Sequence, residues 1–154
     1  METHMTFNLT KDQIEIQQRA RQIASTLVAE NAVEVDKSEQ YPWDNVKALT
    51  DAGFVGMTIP KEYGGPGRSF LEANLVVEEM AAYCGPTGRI AVEANMGAIS
   101  AVMHYGTDFQ KRLAAELVLA GDKPAICITE PDAGSAASQM TTRADKRGDR
   151  YVIN

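Results

Sequence analysis

The sequence has few cysteines and no long apolar run. Its 154 residues include two cysteines, Cys84 and Cys127, neither of them in a CxxC or His-Cys spacing. Because metal sites and disulfide frameworks use such spacings, we predict neither and expect both thiols to be reduced packing residues. No apolar stretch approaches the ~20 residues that span a bilayer, and the N-terminus lacks the basic-then-apolar pattern of a signal peptide. We therefore predict a cytoplasmic protein without a metal.

Positive charge is also scarce. The chain has 15 Lys and Arg against 21 Asp and Glu, which gives a net charge of −6 and a pI near 4.9. Such a surface offers no cationic face to a phosphate backbone, so we predict no binding to nucleic acid. The hydrophobic content of 44% and the charged content of 23% are those of one ordinary globular domain.

Most of the chain has the periodicity of helices. Three capping boxes mark helix starts at Thr10, Ser69 and Thr107, each with Gln or Glu three residues later. The apolar spacing that follows predicts helices from Thr10 to about residue 30, from Ser69 to Gly85-Pro86, and from Thr107 to Gly121. The predicted buried stripes are Ile16, Ala20, Ile23, Ala24, Leu27 and Val28; Leu75, Val76, Met80 and Tyr83; and Leu113, Leu117 and Val118.

Two further helices complete the predicted helical part. One extends from Pro42 to Gly53, and a weakly polar stretch from Gly88 to Tyr105 predicts one helix buried on most sides. The Gly-rich segment 54–67 is expected to be a connector. Met1 to Met5 have no periodicity and are left out of the fold prediction.

Several polar and sulfur-containing side chains of the predicted helical part are expected to have structural rather than catalytic roles. A lone histidine near a helix end, such as His104, is more often structural than an acid or base. Glu78 and Glu79 are expected to form a solvated helix edge. The methionines are most simply core residues, namely Met57, Met80, Met96 and Met103.

After Lys123-Pro124 the pattern changes from helical to β-like. Residues 125–128 are a short strand candidate, 131–134 a turn, and 140–144 are β-like again. Tyr151 begins another strand without a visible partner, and Asn154 is favoured as the first central residue of a hairpin turn. We predict a mainly α chain, with a helical domain over 1–122 and the first strands of an incomplete β domain over 123–154.

One segment carries residues suited to chemistry. Thr129 to Ser135 place two hydroxyls and a Gly-containing turn directly after an apolar stretch. Amides and hydroxyls in this setting can converge on a planar, acceptor-rich ring. The alternative is a simple strand-to-turn link in which Ser135 merely caps the turn.

The segment Cys127-Ile128-Thr129-Glu130-Pro131-Asp132-Ala133-Gly134-Ser135 resembles the flavin-binding signature of acyl-CoA dehydrogenases. The likeness extends over nearly the whole chain, including 51–54, 63–65, 78–80 and 105–107. It implies a helical N-terminal domain, a middle β-barrel-like domain, a C-terminal helical bundle, and FAD held between them. The sequence departs from the family at Ala136, where an Asp is usual, which puts the capping of the turn in doubt.

The resemblance also implies roles for single residues. The matching segment lines the flavin, the threonine corresponding to Thr129 approaches the reactive ring edge, and the serine corresponding to Ser135 lies where flavin and thioester meet. The expected FAD-binding residues are Ile126, Cys127, Ile128, Thr129, Gly134 and Ser135, and Ser135 is also expected to contact the substrate.

Arg89 opens an otherwise apolar segment and therefore needs a partner. It either extends to water or pairs with a nearby carboxylate such as Glu93, or it binds substrate. Glutaryl-CoA dehydrogenases have an arginine at the matching place that holds a distal carboxylate, which implies a short acyl-CoA with an anionic tail. The stretches 39–46 and 120–127 are similar to the 3-sulfinopropionyl-CoA desulfinase branch, and a guanidinium pairs equally well with carboxylate or sulfinate.

No catalytic residue is assigned within this chain. The family's base is a glutamate of the C-terminal domain, so we expect these 154 residues alone to be inactive. The resemblance further implies an electron-transfer flavoprotein as the partner of a dehydrogenase, and a homo-oligomer, the tetramer of the complete fold. An alternative of another class is a non-catalytic helical module that binds a partner through exposed apolar surface.

Overall fold

A computed structural model describes residues 8–154, so Met1 to Met5 lie outside the described residues. Within that range, helices come first and a small sheet comes last, which confirms the mainly helical fold class. The helices are α1 (Lys11–Ile23), α2 (Ala29–Ser38), α3 (Trp43–Asp51), α4 (Phe70–Ala81), α5 (Gly85–Asn95), α6 (Ala98–Tyr105) and α7 (Asp108–Leu119). The strands are β1 (Ala144–Arg147) and β2 (Arg150–Ile153). In the described part of the chain, no helix combines the length and the apolar character needed to cross a membrane.

All three predicted capping boxes are formed. The Thr10 hydroxyl accepts from the amide of Gln13, and the Gln13 side chain accepts from the amide of Thr10 at 2.9 Å. The same reciprocal bonds start α4 at Ser69 and α7 at Thr107. Each pair satisfies two amides that the first helical turn leaves without a partner, which is why this local pattern predicted the helix starts correctly.

The first helical segment is longer than predicted. A π-helical segment, Ala24–Val28, joins α1 to α2, and the helical path ends at Glu39, whose φ is 54°. The hydroxyl of Thr26 donates to the carbonyl of Gln22 at 2.8 Å within this segment. Hydroxyls that bond to the preceding turn commonly accompany irregular helix geometry.

The single helix predicted over 88–105 is in fact two helices. The chain breaks between α5 and α6 because Asn95 turns its side chain to the neighbouring connector. Its amide nitrogen donates to the carbonyls of Phe54 and Ala91 at 2.9 Å, and its oxygen accepts from the amide of Met57 at 2.7 Å. These bonds fix the end of α5 against segment 54–67, which forms an irregular connector as predicted.

The core is built around the apolar stripe of α1, its continuation through the π-helical segment, and α4. Cys84, Met57 and Met80 are buried in it, whereas Met96 and Met103 are half-buried at its edge. Several predicted core residues are instead exposed, because no described element covers their side of the molecule. These are Tyr83, Leu113, Leu117 and Cys127.

Glu79 corrects another expectation. Its carboxylate is buried in α4, where it accepts two hydrogen bonds from the guanidinium of Arg21, at 3.0 and 2.7 Å. This bidentate pairing joins α1 to α4 and compensates the burial of the charge. Glu78 is exposed as predicted.

The C-terminal strands form one antiparallel hairpin, with Ala144 opposite Ile153 and Arg147 opposite Arg150. Tyr151 therefore has a partner strand. The turn lies at Gly148, whose φ is 65°, and not at Asn154, which instead exchanges backbone hydrogen bonds with Arg143 at 3.0 and 3.1 Å. The strand predicted over 125–128 is not formed, since these residues have no regular secondary structure and no ladder partner within residues 8–154.

Candidate functional site

The segment predicted to bind FAD lies on the surface between α7 and the hairpin. Ile126 and Ile128 are exposed to 40% and 49% although both are apolar, and Cys127 and Thr129 are exposed as well. No amide or carbonyl of residues 126–129 has a hydrogen-bond partner within residues 8–154. Backbone with free polar groups and exposed aliphatic side chains is a surface that a ligand or another part of a protein can cover.

A tight turn follows residues 126–129. The amide of Glu130 donates to the carbonyl of Ala133 at 3.0 Å, and the amide of Ala133 donates back at 3.2 Å. Ala133 is buried beneath the turn. Gly134 and Ser135 emerge from it exposed, and a Cβ added at Gly134 would meet no atom within 4 Å. The backbone at Gly134 is therefore open to close approach.

The carboxylate of Glu130 is the best-bonded group of this region. It accepts from the amide and hydroxyl of Thr141, at 2.9 and 3.0 Å, and from the amide of Thr142 at 2.6 Å. The side chain of Thr142, followed by the amides of Thr141 and Thr142, lowers the pKa of Glu130 to about 2. Hydrogen bonds to the ionised form have this effect.

Arg89 is the fifth residue of α5 and lies one turn before Glu93. Its guanidinium pairs with one carboxylate oxygen of Glu93, and its side chain is 66% exposed while that of Glu93 is 12% exposed. The other carboxylate oxygen of Glu93 accepts from the amide of Ala98 at 3.2 Å, at the start of α6. The predicted pairing of Arg89 with Glu93 is therefore formed, and most of the Arg89 side chain remains exposed.

A small cavity of about 170 Å³ lies beside this ion pair, lined by Tyr41, Arg89, Ile90, Glu93 and Pro124. Pro124 is the link to the predicted FAD segment, which starts two residues later. Burial, and then the negative charge of Asp122, raise the pKa of Tyr41.

Lys123, four residues after the end of α7, packs against two aromatic rings at the start of α3. The ammonium of Lys123 lies over the rings of Tyr41 and Trp43, 4.9 and 5.3 Å from their centroids. Such contacts are worth about 0.5–1 kcal/mol at exposed sites. Within residues 8–154, no hydrogen bond or ion pair joins Arg89 to Ile126–Ser135, so Pro124 and Lys123 are the connection between the two groups.

The residues of segment 126–135 fit FAD chemically. The amides of 126–129 and the hydroxyls of Thr129 and Ser135 are donors without partners in the described chain. A flavin ring has an acceptor-rich edge and an apolar face, which suit these donors and the exposed Ile126 and Ile128. In contrast, no group of three or more His, Cys, Asp or Glu side chains in the described residues could hold a metal ion.

A second exposed apolar surface lies between α6 and α7. A groove of about 510 Å³ is lined by Val102, Tyr105, Leu113, Ala114 and Leu117, among others. Tyr105 is 91% exposed. Next to it, Nδ1 of His104 donates to the carbonyl of Ser100 at 2.8 Å, within its own helix, as expected of a structural histidine.

Comparison with known proteins identifies the class of this fold. The family model described as acyl-CoA dehydrogenase, N-terminal domain, matches residues 10–122. The chain belongs to the acyl-CoA dehydrogenase family, as its resemblance predicts.

Within that family, the chain is 61% identical over 148 residues to 3-sulfinopropanoyl-CoA desulfinase from Variovorax paradoxus, covering 96% of this chain and 37% of the relative. It is 37% identical to the short-chain specific acyl-CoA dehydrogenase of Clostridium acetobutylicum, covering 97% and 40%. A solved structure of glutaryl-CoA dehydrogenase with glutaryl-CoA aligns with a TM-score of 0.88 at 29% identity, covering 97% and 39%. The chain thus spans less than half the length of these relatives.

Two residues near the predicted site had no assigned role. Glu130 stands inside the predicted flavin signature, but its partners Thr141 and Thr142 follow eleven and twelve residues later with no pattern to reveal them. No sequence pattern predicts the contact of Lys123 with Tyr41 and Trp43. In contrast, Glu93 lies four residues after Arg89, the ordinary separation of helical ion pairs, so this pairing could be predicted from the sequence.

Proposed function

We propose that this chain is the N-terminal part of an FAD-containing enzyme that removes sulfite from a short acyl-CoA with a sulfinate tail. The domain boundary falls between residues 122 and 123. The 61% identity to a 3-sulfinopropanoyl-CoA desulfinase over 148 residues is the observation that carries this proposal. The exposed guanidinium of Arg89, at the rim of a cavity joined to the flavin segment through Pro124, supports it independently.

In this proposal, residues 126–129 hold FAD together with Gly134 and Ser135. The free amides and the hydroxyls of Thr129 and Ser135 donate to the acceptor-rich edge of the ring, and Ile126 and Ile128 cover an apolar face. When bound, FAD would supply a ring that can accept a hydride in the oxidation considered below as the second candidate, whereas desulfination needs no net electron transfer. Gly134 permits close approach because no side chain intervenes.

Arg89 binds the anionic tail of the acyl group. Its planar fork can donate two parallel hydrogen bonds to a carboxylate or a sulfinate. Ser135 contacts the thioester end of the substrate, where flavin and substrate meet. In desulfination the C–S bond breaks, the sulfur leaves as sulfite, and water supplies the hydrogen and oxygen that balance the products.

A second candidate is oxidation of a short acyl-CoA with a carboxylate tail, which the similarity to the glutaryl-CoA dehydrogenase structure favours. A carboxylate base would then remove the α-proton while the β-hydrogen leaves as hydride. Electrons would pass on to an electron-transfer flavoprotein. In either case the exposed groove between α6 and α7 fits a protein whose further domains and subunits cover it, such as a homotetramer.

The test uses the complete protein with 3-sulfinopropanoyl-CoA, glutaryl-CoA and butanoyl-CoA. Desulfination predicts sulfite release from the first substrate only, whereas oxidation predicts flavin bleaching by glutaryl-CoA. Equal turnover of the neutral butanoyl-CoA would contradict the proposed substrate class. A colourless, well-folded complete protein would contradict FAD binding and favour a non-catalytic helical module.

The 154 residues alone are expected to be inactive, since no catalytic base is assigned among them. Acyl-CoA-dependent flavin reduction by this chain without further domains would contradict that expectation.

A further inference from the structure

The loop that carries Gly134 and Ser135 of the proposed FAD cradle is closed by one side chain. Residues 130–142 form a loop that begins at Glu130 and comes back to the side chain of Glu130 at Thr141 and Thr142. Within this loop, the hydrogen bonds between Glu130 and Ala133 form the first turn and a 3-10 turn, Ala137–Gln139, forms the last part. Gly134 and Ser135 lie between these two turns.

The closure depends on the ionised carboxylate. One oxygen of Glu130 accepts from both the amide and the hydroxyl of Thr141, and the other accepts from the amide of Thr142. These donors lie directly before the hairpin, because Arg143 is already paired with Asn154. Glu130, which directly follows residues 126–129 of the proposed cradle, is therefore joined to the beginning of the β hairpin.

No other side chain of the loop makes a comparable connection. Asp132 is also a carboxylate and lies on the same turn, but it accepts no hydrogen bond within residues 8–154. The hydroxyls of Thr129 and Ser135 are likewise unbonded there. The shape of the loop around Gly134 and Ser135 thus rests on Glu130 and on the backbone turn that it begins.

We propose that Glu130 is a positioning residue for FAD: its carboxylate closes the loop that carries Gly134 and Ser135 and so holds the cradle in its binding shape. This inference rests on the proposed function. Glu130 is not required to touch the cofactor. A preformed loop binds more tightly than one that must be ordered during binding, because the ordering entropy is already spent.

Two measurements test this role. In the complete enzyme, the dissociation constant of FAD is measured by flavin fluorescence for apoenzyme carrying Glu130→Ala, Glu130→Gln or Asp132→Ala. In the 154-residue chain, hydrogen exchange of the Thr141 and Thr142 amides is followed for the same variants. We expect Glu130→Ala to weaken FAD binding about tenfold, the scale of one lost charged hydrogen bond, and to accelerate exchange of both amides.

The variants separate a specific role from general damage. Glu130→Gln keeps one acceptor oxygen and should lie between wild type and Glu130→Ala, while Asp132→Ala should match wild type in both measurements. If Glu130→Ala fails to fold, Glu130→Gln decides the question. Faster amide exchange with unchanged FAD affinity would overturn the inference but leave the proposed function intact. Unchanged exchange would show that the closure does not exist, and a wild-type complete protein that binds no FAD would overturn the proposed function itself.

Discussion

The carboxylate of Glu93 serves Arg89 and helix α6 at the same time. One oxygen pairs with the guanidinium, and the other accepts from the amide of Ala98. Because α6 begins where the chain bends back onto Glu93, the bend and the orientation of Arg89 depend on the same side chain. Arg89 is thus presented at the cavity by a partner that is itself fixed to the backbone.

Replacing Arg89 by Leu should remove selectivity for anionic tails. In the complete enzyme, we expect kcat/KM for the sulfinate or carboxylate substrate to fall about tenfold or more, the scale of a lost charged hydrogen bond, while a neutral acyl-CoA keeps its rate. Arg112→Leu is the matched control, since Arg112 also forms an exposed one-turn ion pair, with Asp108 on α7. Equal losses for neutral and anionic substrates would refute the assigned role.

Gly97→Ala should destabilise the chain through Glu93. A Cβ at position 97 would lie 2.1 Å from a carboxylate oxygen of Glu93, so that side chain would have to leave the start of α6. We expect a loss of about 1–3 kcal/mol in the free energy of unfolding, measured by urea denaturation. Combined with Glu93→Ala, the glycine substitution should cost less, because the clashing atom is gone. Strict additivity of the two changes would argue against this contact.

Asn45→Ala should be one of the most destabilising polar substitutions. Asn45 is fully buried, accepts from Asn31 at 2.8 Å and donates to Thr87 at 2.9 Å, which links α2, α3 and α5. Its removal leaves a cavity and an unpaired polar group, for which we expect about 2–4 kcal/mol in urea denaturation. The exposed Asn74→Ala is the control and should change stability by less than about 0.5 kcal/mol. Similar values for both variants would mean that the buried link contributes little.

Glu130 should titrate far below an ordinary glutamate. Its pKa is lowered to about 2 from 4.5, so its contribution to loop closure is complete above the ordinary value and is lost as the pH falls through the lowered one. The measurement is a carbon-13 NMR titration of the side-chain carboxyl, assigned by comparison with Glu130→Gln. A midpoint near 4.5 would mean that the bonds to Thr141 and Thr142 are not formed in solution.

The helix starts could be predicted because their determinants are local. Thr10, Ser69 and Thr107 each find their partner three residues away, within the same turn. The break after Asn95 could not be predicted, since its cause is a set of bonds to Phe54 and Met57, about forty positions earlier. Periodicity alone gave one continuous helix there.

In the candidate site, too, some features could be predicted from the sequence, whereas others depend on contacts between distant residues. Segment 126–135 could be proposed from its likeness to a family signature, and Arg89 from an isolated charge among apolar residues. The burial of Glu79 was missed because its partner, Arg21, is fifty-eight positions away. The strand expected over 125–128 was wrong for a physical reason, since an apolar stretch becomes a strand only when another strand supplies hydrogen bonds.

The π-helical segment at Ala24–Val28 sets the rotational phase of everything in α2. Each residue added to or removed from an α-helix turns the following part by about 100°. The i→i+5 bonds of the π-helical turn spread one turn over an extra residue, so an uninterrupted α-helix of the same length would rotate Ala32 and Val35 away from the core that they now contact. The loss of one residue here should therefore be tolerated, because a regular α-helix would then hold α2 in nearly its present orientation, whereas an added residue would turn it away from the core even though Ser25 and Thr26 are exposed.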